Sequence, residues 1–289
     1  MAATIGKVGI MSPGDMGSGM GNVLHAKGLE VYTCLAGRSD LTRLRARESG
    51  FIDTPDLDTL VSSVDIFLSV LVPSEALPLA EAVAASMKRT GARPAYADCN
   101  AIAPRTVQTI DTLITGAGAM FIDAGIIGSP PRLDGGGRFH CSGPDISAFE
   151  ALGQHGLDVR VVGPDIGQAS GLKMVYAATT KGTTALWTEL MTAAEAMGLR
   201  EALIAEMGGN FRQANSITGM PRRARRWVPE MEEIAATFAG LGLTPRIFEG
   251  AADIYRLVGE TALADQTSRE PDPSLDQVLE ALTARLGHE

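Results

Sequence analysis

The segment Asp165-Ile-Gly-Gln-Ala-Ser-Gly-Leu-Lys-Met-Val-Tyr-Ala-Ala-Thr-Thr-Lys-Gly182 places one amine, Lys173, in a small-residue stretch of helical periodicity. Ala169, Leu172, Val175, Tyr176 and Thr179 share a face by their spacing, and that face is expected to pack on something. Lys173 stands beside it. An amine so placed loses hydration, which lowers its pKa and fits it to act as an acid or a base. The same side chain can instead run its stem over apolar surface and keep its charge in water. The helix alone does not choose between these roles.

A second constellation lies near the start of the chain. The run Ile5–Met11 reads as a buried strand, and Ser12-Pro-Gly14-Asp-Met-Gly17 follows it and opens a helix. This turn occupies the place of a G-x-G-x-x-G fingerprint, with serine for the first glycine. Dinucleotide binding there needs a tight turn, a side-chain-free approach to pyrophosphate and a helix N-terminus aimed at the anion. Gly14 and Gly17 supply the last two, and Pro13 stiffens the turn. Ser12, Pro13, Gly14, Asp15, Met16 and Gly17 are therefore candidate cofactor contacts. After the second strand, Thr33-Cys-Leu-Ala-Gly-Arg-Ser39 offers no acid for a ribose 2′-hydroxyl. Arg38 and Ser39 offer donors for a 2′-phosphate, which favours NADP and leaves NAD possible. The alternative is a solvated Arg38, with Asp40 doing the ribose work.

These residues need a scaffold. The first 160 or so residues alternate strand-like and helix-like runs, with strands also expected at 30–35, 64–72, 93–98, 119–123, 138–142 and 158–162. Val64–Val72 is too continuously apolar for a one-sided sheet and suits a parallel strand covered on both faces. Helices are expected at about 16–27, 74–90 and 103–115. From about 165 onward only helices are expected, at 165–197, 200–215, 222–241, 249–265 and 274–286, with a polar loop at 266–274. The pattern predicts an α/β fold, a Rossmann-type doubly wound parallel sheet over residues 1–163, then an all-helical domain over 164–289, to which the resemblance described below assigns substrate binding and dimerisation.

Composition narrows the function. The 289 residues are 45% hydrophobic and 20% charged, with a net charge of −9 that argues against a nucleic-acid partner. No apolar run is long enough to span a membrane, and Met1–Val8 lacks the regions of a signal peptide. Cys34, Cys99 and Cys141 are odd in number, widely spaced and without metal-ligand pairing, so each reads as a small buried hydrophobe. A reducing cytoplasm fits, and no metal is expected.

The chain resembles the β-hydroxyacid dehydrogenases, the group of 3-hydroxyisobutyrate dehydrogenase and the 6-phosphogluconate dehydrogenases, through five motifs in order. Val8–Gly17 resembles the opening strand and glycine loop. Val70-Leu-Val-Pro73 resembles the stretch under the nicotinamide ribose, which makes Val72 and Pro73 cofactor contacts. Asp98-Cys-Asn-Ala-Ile-Ala-Pro104 resembles Asp-x-Ser-Thr-x-x-Pro, with Asn100 at the hydroxyl position as a further cofactor contact. Asp123–Ser129 resembles the substrate loop, and Gly167–Lys173 resembles G-x-G-x-x-x-K, whose lysine is the catalytic residue of the family. The run Arg226–Ala235 looks like a subgroup whose second domain was long uncharacterised. The resemblance implies hydride transfer between a nicotinamide and a β-hydroxy acid or related secondary alcohol or ketone, with Lys173 handling the hydroxyl proton, and a homodimer.

Departures from the family bear on the substrate. Ile127 replaces the serine of the substrate loop, and Ser129 lies two positions on. Ala177 replaces an asparagine, with Tyr176 before it. Glu230 stands where many members carry a cofactor lysine. Ile127, Gly128, Ser129, Tyr176, Ala177 and Lys181 are the candidate substrate contacts. The pocket is expected to be less polar than that of 3-hydroxyisobutyrate dehydrogenase, which points to a bulkier or less acidic substrate. The basic cluster Arg222–Arg226 reads as an anion site or, preferably, as a solvated face paired with Glu230, Glu232 and Glu233. Trp187 and Trp227 read as core or dimer contacts. Two alternatives to a dehydrogenase stand: an imine reductase, which usually lacks the lysine at this site, and a cofactor-binding regulator without turnover.

Overall fold

The computed structural model describes residues 4–267 and 270–286, excepting the side chains at 209, 210, 212 and 213. Residues 1–3 of the first motif-free stretch, and Ser268 and Arg269 of the expected polar loop, lie outside the described residues. The chain divides into two compact units, Met1–Met174 and Val175–Glu289.

The first unit begins β1 (Lys7–Met11), α1 (Asp15–Ala26), β2 (Glu30–Cys34), α2 (Asp40–Glu48), β3 (Ile52–Thr54) and α3 (Leu57–Ser63). It continues β4 (Ile66–Ser69), α4 (Pro73–Thr90), β5 (Ala95–Asp98), α5 (Pro104–Gly116), β6 (Phe121–Ile127), β7 (Arg138–Ser142), α6 (Ser147–Glu150) and β8 (Asp158–Gly163). The eight strands form one sheet in the order β3-β2-β1-β4-β5-β6-β7-β8. Every residue of β4, β5 and β6 is buried, as strands covered on both faces must be. One face carries Val8, Ile10, Met20, Val23 and Phe149; the other carries Phe67, Tyr96, Val83, Val107 and Ile110. Phe67, Tyr96 and Phe121 stack across three neighbouring strands at 5.5 and 6.0 Å between centroids.

One pairing departs from the expected parallel sheet. β6 and β7 run antiparallel, while β7 and β8 are parallel again. The connection 128–137 contains no helix, and a parallel crossover needs roughly a dozen residues or more. The chain therefore turns back as a hairpin. Three elements between 40 and 63 were not legible. α2 buries only Ala46, and β3 has three residues, so neither carries a usable hydrophobic period.

The long helix expected over 165–197 is interrupted. α7 (Gln168–Ala177) leads through a π-helical turn, Ala178–Gly182, into α8 (Thr183–Ala196). Then come α9 (Arg200–Met207), 3₁₀ turns over Gly208–Ser216, α10 (Ala224–Gly240), α11 (Arg246–Gly259) and α12 (Leu275–Thr283). The buried face of α7 is not the expected one. Ala169, Ser170, Met174 and Ala177 are buried, whereas Leu172, Val175 and Tyr176 are 39–50% exposed. The small residues allow close approach to the chain, and the larger apolar ones are left outward.

The arginine cluster also differs from expectation. Arg222 donates to the carbonyls of Thr267 and Glu270 at 2.9 and 2.7 Å and pairs with Asp272. Arg225 donates to the Gly259 carbonyl at 2.7 Å and pairs with Asp265 at 2.6 Å. Glu232 pairs instead with Arg256 and Glu230 with Lys181. The carbonyl of Gly259, which ends α11, lacks a helical partner and is met by Arg225, while Arg222 ties down the loop that follows. Trp187 and Trp227 are both buried, the latter edge-on to Tyr255 at 5.3 Å.

Candidate active site

The sheet order puts β1 between β2 and β4, so the connections from those strands leave in opposite directions. A crevice outside the carboxyl ends of the strands forms at such a switch point. The carboxyl ends of β1, β4 and β5 are fastened together there. Val70 N donates to Met11 O at 2.5 Å, Ser12 N to Val70 O at 3.1 Å, and Cys99 N to Ser69 O at 2.9 Å.

The glycine turn fits a pyrophosphate. A Cβ on Gly17 would stand 2.1 Å from the Ser12 carbonyl oxygen, so only glycine lets α1 start against the turn. A Cβ on Gly14 would meet nothing within 4 Å, which leaves that backbone open to a ligand. Gly14 is the N-cap of α1, and the first-turn amides of Asp15, Met16 and Gly17 have no intrahelical acceptor. The Asp15 carboxylate is drawn aside by Arg45 at 2.5 Å. Pro13 is buried; Ser12 and Met16 are half-buried.

After β2, Ser39 caps α2 by accepting from Thr42 N at 3.3 Å. Arg43 donates to the Leu35 carbonyl at 2.6 Å and holds the loop. The Arg38 side chain, half-buried, has no partner among the described residues. After β4, Val72 is 48% exposed and Pro73 begins α4. Asn100 differs from these. It is 2% exposed, and its side chain is consumed inside the protein: Oδ1 accepts from Leu71 N at 2.5 Å, and Nδ2 donates to Ser69 Oγ at 2.8 Å and Asp98 Oδ2 at 2.9 Å. Asn100 thus holds the ends of β4 and β5 and does not present its amide outward. Burial pushes the Asp98 carboxyl up to about 7 against the donors from Asn100, with the Asp123 charge adding to the rise.

Lys173 is built into the same unit by β6 and α7. Asp123, fully buried in the middle of β6, accepts from Gly167 N, Ser170 N and Ser142 Oγ, each at 3.0 Å, and from Ser170 Oγ. Its charge sits at the N-terminus of α7, where free amides and the helix dipole favour an anion. Burial raises its pKa and the donors pull it back. Gly125, two residues along β6, lets the helix come close: a Cβ there would lie 2.9 Å from the Ala169 carbonyl and 3.1 Å from Lys173 Cβ. The Lys173 amine donates to the Ile126 carbonyl. Ile127 ends β6 with its side chain buried, Gly128 turns the chain at φ 119°, and Ser129 is exposed.

The residues on the second unit are described by themselves. Tyr176 is 42% exposed, Ala177 is buried, and Lys181 on the π-helical turn pairs with Glu230. Among the described residues no group of three or more His, Cys, Asp or Glu side chains is placed to hold a metal ion, and no helix is long and apolar enough to cross a membrane. The sequence reading missed the anchoring by Asp123, Ser142 and Ser170. A single acid in the apolar run Phe-Ile-Asp-Ala-Gly-Ile-Ile was the available signal.

Residues 4–155 match the family described as the NAD-binding domain of 6-phosphogluconate dehydrogenase. The chain belongs to that family. Residues 194–258 match a second family, a domain of unknown function catalogued as DUF1932. A solved structure of a conserved protein of unknown function, described as structurally similar to 3-hydroxyacid dehydrogenases, is 33% identical; the match covers 88% of this chain and 99% of that one, with a TM-score of 0.65. An uncharacterised 28.5 kDa protein from the 7S RNA 5′ region of Methanothermus fervidus is 27% identical over 88% of this chain and 99% of its own length. The 3-hydroxyisobutyrate dehydrogenase of Mycobacterium tuberculosis, solved with L-serine, shares the fold at 17% identity, covering 98% and 100%, with a TM-score of 0.67. The first unit is thus an NAD(P)-binding domain on an oxidoreductase-type fold.

Two outcomes are expected. Gly125→Ala forces α7 off β6 and lowers stability by roughly 1–3 kcal/mol, a fall of a few degrees in Tm by thermal denaturation. An unchanged Tm contradicts the close approach. Asp98 keeps its proton in the folded chain up to about 7 and in the unfolded chain only to the ordinary 3.8. Its contribution is full at low pH and is lost as pH rises through that window, at up to about 1.4 kcal/mol per pH unit. Tm followed from about pH 5 to pH 8 should therefore fall more steeply for the wild type than for Asp98→Asn; parallel curves contradict it.

Proposed function

We propose that the protein is an NADP-preferring dehydrogenase acting on a β-hydroxy acid or related secondary alcohol or ketone, with Lys173 as the general acid and base. The observation that carries this reading is the amine of Lys173, held by the Ile126 carbonyl at the carboxyl end of β6 on a helix whose start is fixed by Asp123. It lies on the sheet edge that also carries the glycine turn. Ser12 to Gly17, Arg38, Ser39, Val72 and Pro73 are the residues that would hold the dinucleotide, and Asn100 supports that edge from within.

The nicotinamide supplies or accepts the hydride. As hydride leaves a carbinol carbon, the hydroxyl must lose its proton, and an unprotonated Lys173 amine takes it. In reduction the ammonium returns that proton to the carbonyl oxygen. The Ile126 carbonyl orients the amine by accepting one of its hydrogens. Ile127, Gly128 and Ser129, and on the helical unit Tyr176, Ala177 and Lys181, are the proposed substrate contacts. The preference for NADP rests on Arg38, whose guanidinium is left for a 2′-phosphate while Arg43 is spent on carbonyls. The outward Leu172, Val175 and Tyr176 are consistent with cover by a second copy in a homodimer, and the three buried, unpaired cysteines suit a cytoplasmic protein.

A screen of 3-hydroxy acids and aryl β-hydroxy compounds, followed by nicotinamide absorbance, tests the assignment. Lys173→Ala should lose about 10²–10⁴-fold in kcat with cofactor binding retained. Turnover that survives the substitution removes the lysine from the mechanism. Binding of NADP without turnover, imines included, would make the protein a regulator. For the cofactor, Arg38→Ala should raise the Kd for NADP about tenfold or more and leave that for NAD within a few-fold. Equal losses for both would refute the 2′-phosphate role.

A further inference from the structure

Lys181 and Glu230 form a nearly enclosed ion pair inside the helical unit, with side chains 14% and 11% exposed. Lys181 lies on the π-helical turn Ala178–Gly182, a local widening that recurs at functional positions. The turn is pinned by Tyr255, whose hydroxyl donates to the Lys181 carbonyl at 2.5 Å. Glu230 and Trp227 are one turn apart on α10, and Lys181 Nζ stands 5.5 Å from the Trp227 ring centroid. Burial lowers the pKa of Lys181, Glu230 pulls it back up, and the Arg226 charge lowers it further.

The donors here outnumber the acceptors. An ammonium has three N–H groups; Glu230 accepts one, and no second acceptor meets Lys181 among the described residues. Trp227 is 9% exposed, and its indole N–H is buried without a partner. Arg226, the preceding residue, is exposed and has no partner among the described residues, unlike Arg222 and Arg225. A buried donor without an acceptor, as the Trp227 indole N–H is, carries an uncompensated desolvation cost and calls for an explanation. The charges of Lys181, Arg226 and Glu230 sum to one positive. A ligand with acceptor oxygens and a single negative charge satisfies both the donors and the charge; a dianionic phosphate overshoots it, and a neutral amide leaves it.

We propose that Lys181, Trp227 and Arg226 form a binding subsite of the helical unit for a monocarboxylate. The site stands on the geometry of that unit, and only the source of the carboxylate rests on the dehydrogenase reading: the acid group of the substrate, or a separate effector acid.

The test uses the full chain carrying Trp187→Phe, which leaves Trp227 as the single emitting tryptophan. It is titrated with sodium 3-hydroxybutyrate and sodium benzoate, and with sodium phosphate and acetamide at matched ionic strength. The monocarboxylates should give a saturable change in emission, and phosphate and acetamide should not. Adding Glu230→Gln, which leaves the cations uncompensated, should tighten the response. The double change Lys181→Met/Glu230→Gln, which leaves no unpaired buried charge, should weaken it about tenfold or more. No saturable response to either monocarboxylate, an equal response to phosphate or acetamide, or an affinity unchanged by the double substitution overturns the proposal. Competition between the bound acid and a turned-over hydroxy acid assigns the site to the substrate, and saturable binding without competition assigns it to an effector. Carboxylate binding in a protein without turnover upholds the subsite and removes the dehydrogenase. Turnover without carboxylate binding does the reverse.

Discussion

The first unit turns on one carboxylate buried where water cannot reach it. Asp123 sits at the centre of β6 and takes four hydrogen bonds, three of them from the first turn of α7 or the residue before it. A charge in that position is costly unless every lone pair is used. Using them fixes the start of α7 against the strand that carries Ile126. Gly125 then sets the distance, and the Lys173 amine falls on the Ile126 carbonyl. Ser142 on β7 completes the arrangement by donating to Asp123 and accepting from Ala169 N at 3.0 Å. The antiparallel turn of β7, absent from a purely parallel sheet, is what brings that hydroxyl to the site.

A second polar knot does the corresponding work for the glycine turn. Asn100, Asp98, Ser69 and the Leu71 amide tie β4 to β5 beneath the stretch that Val72 and Pro73 open. Both knots are buried and both centre on an aspartate, so the crevice at the strand ends has a rigid floor made of satisfied polar groups. Rigid support of this kind is what a small amine needs to be held at one place for proton transfer.

Much of this was legible in the sequence, for identifiable reasons. Strands covered on both faces announce themselves as unbroken apolar runs, and Val64–Val72 did so. The glycine turn was legible because its steric demand admits no side chain at Gly17. Lys173 was legible because a lone amine among small residues is unusual. α2 and β3 were hidden because they bury so little, and α3 because seven residues are too few to display a helical period. The face of α7 that meets the sheet was not legible, because helical spacing identifies a stripe but does not say whether small or large residues pack within the chain. Small ones won, since the close approach at Gly125 leaves no room for leucine or tyrosine. The arginine cluster was misassigned because partners far along the chain, at 259–272, outcompeted glutamates near in sequence. The Lys181–Glu230 pair, 49 residues apart, gave no local signal at all.

The central claim is that the Lys173 amine itself moves the proton while hydride passes to or from the nicotinamide. Chemical rescue reads this most directly. The Lys173→Ala protein is assayed with NADP and a turned-over alcohol while methylammonium is added at fixed pH and ionic strength. If the amine is the base, the lost rate should return in proportion to the concentration of free methylamine, and more strongly as pH rises toward its pKa. A Lys173→Ala protein whose rate does not respond to added amine, and whose loss lies in weakened cofactor affinity, would show that Lys173 holds the site together without handling the proton.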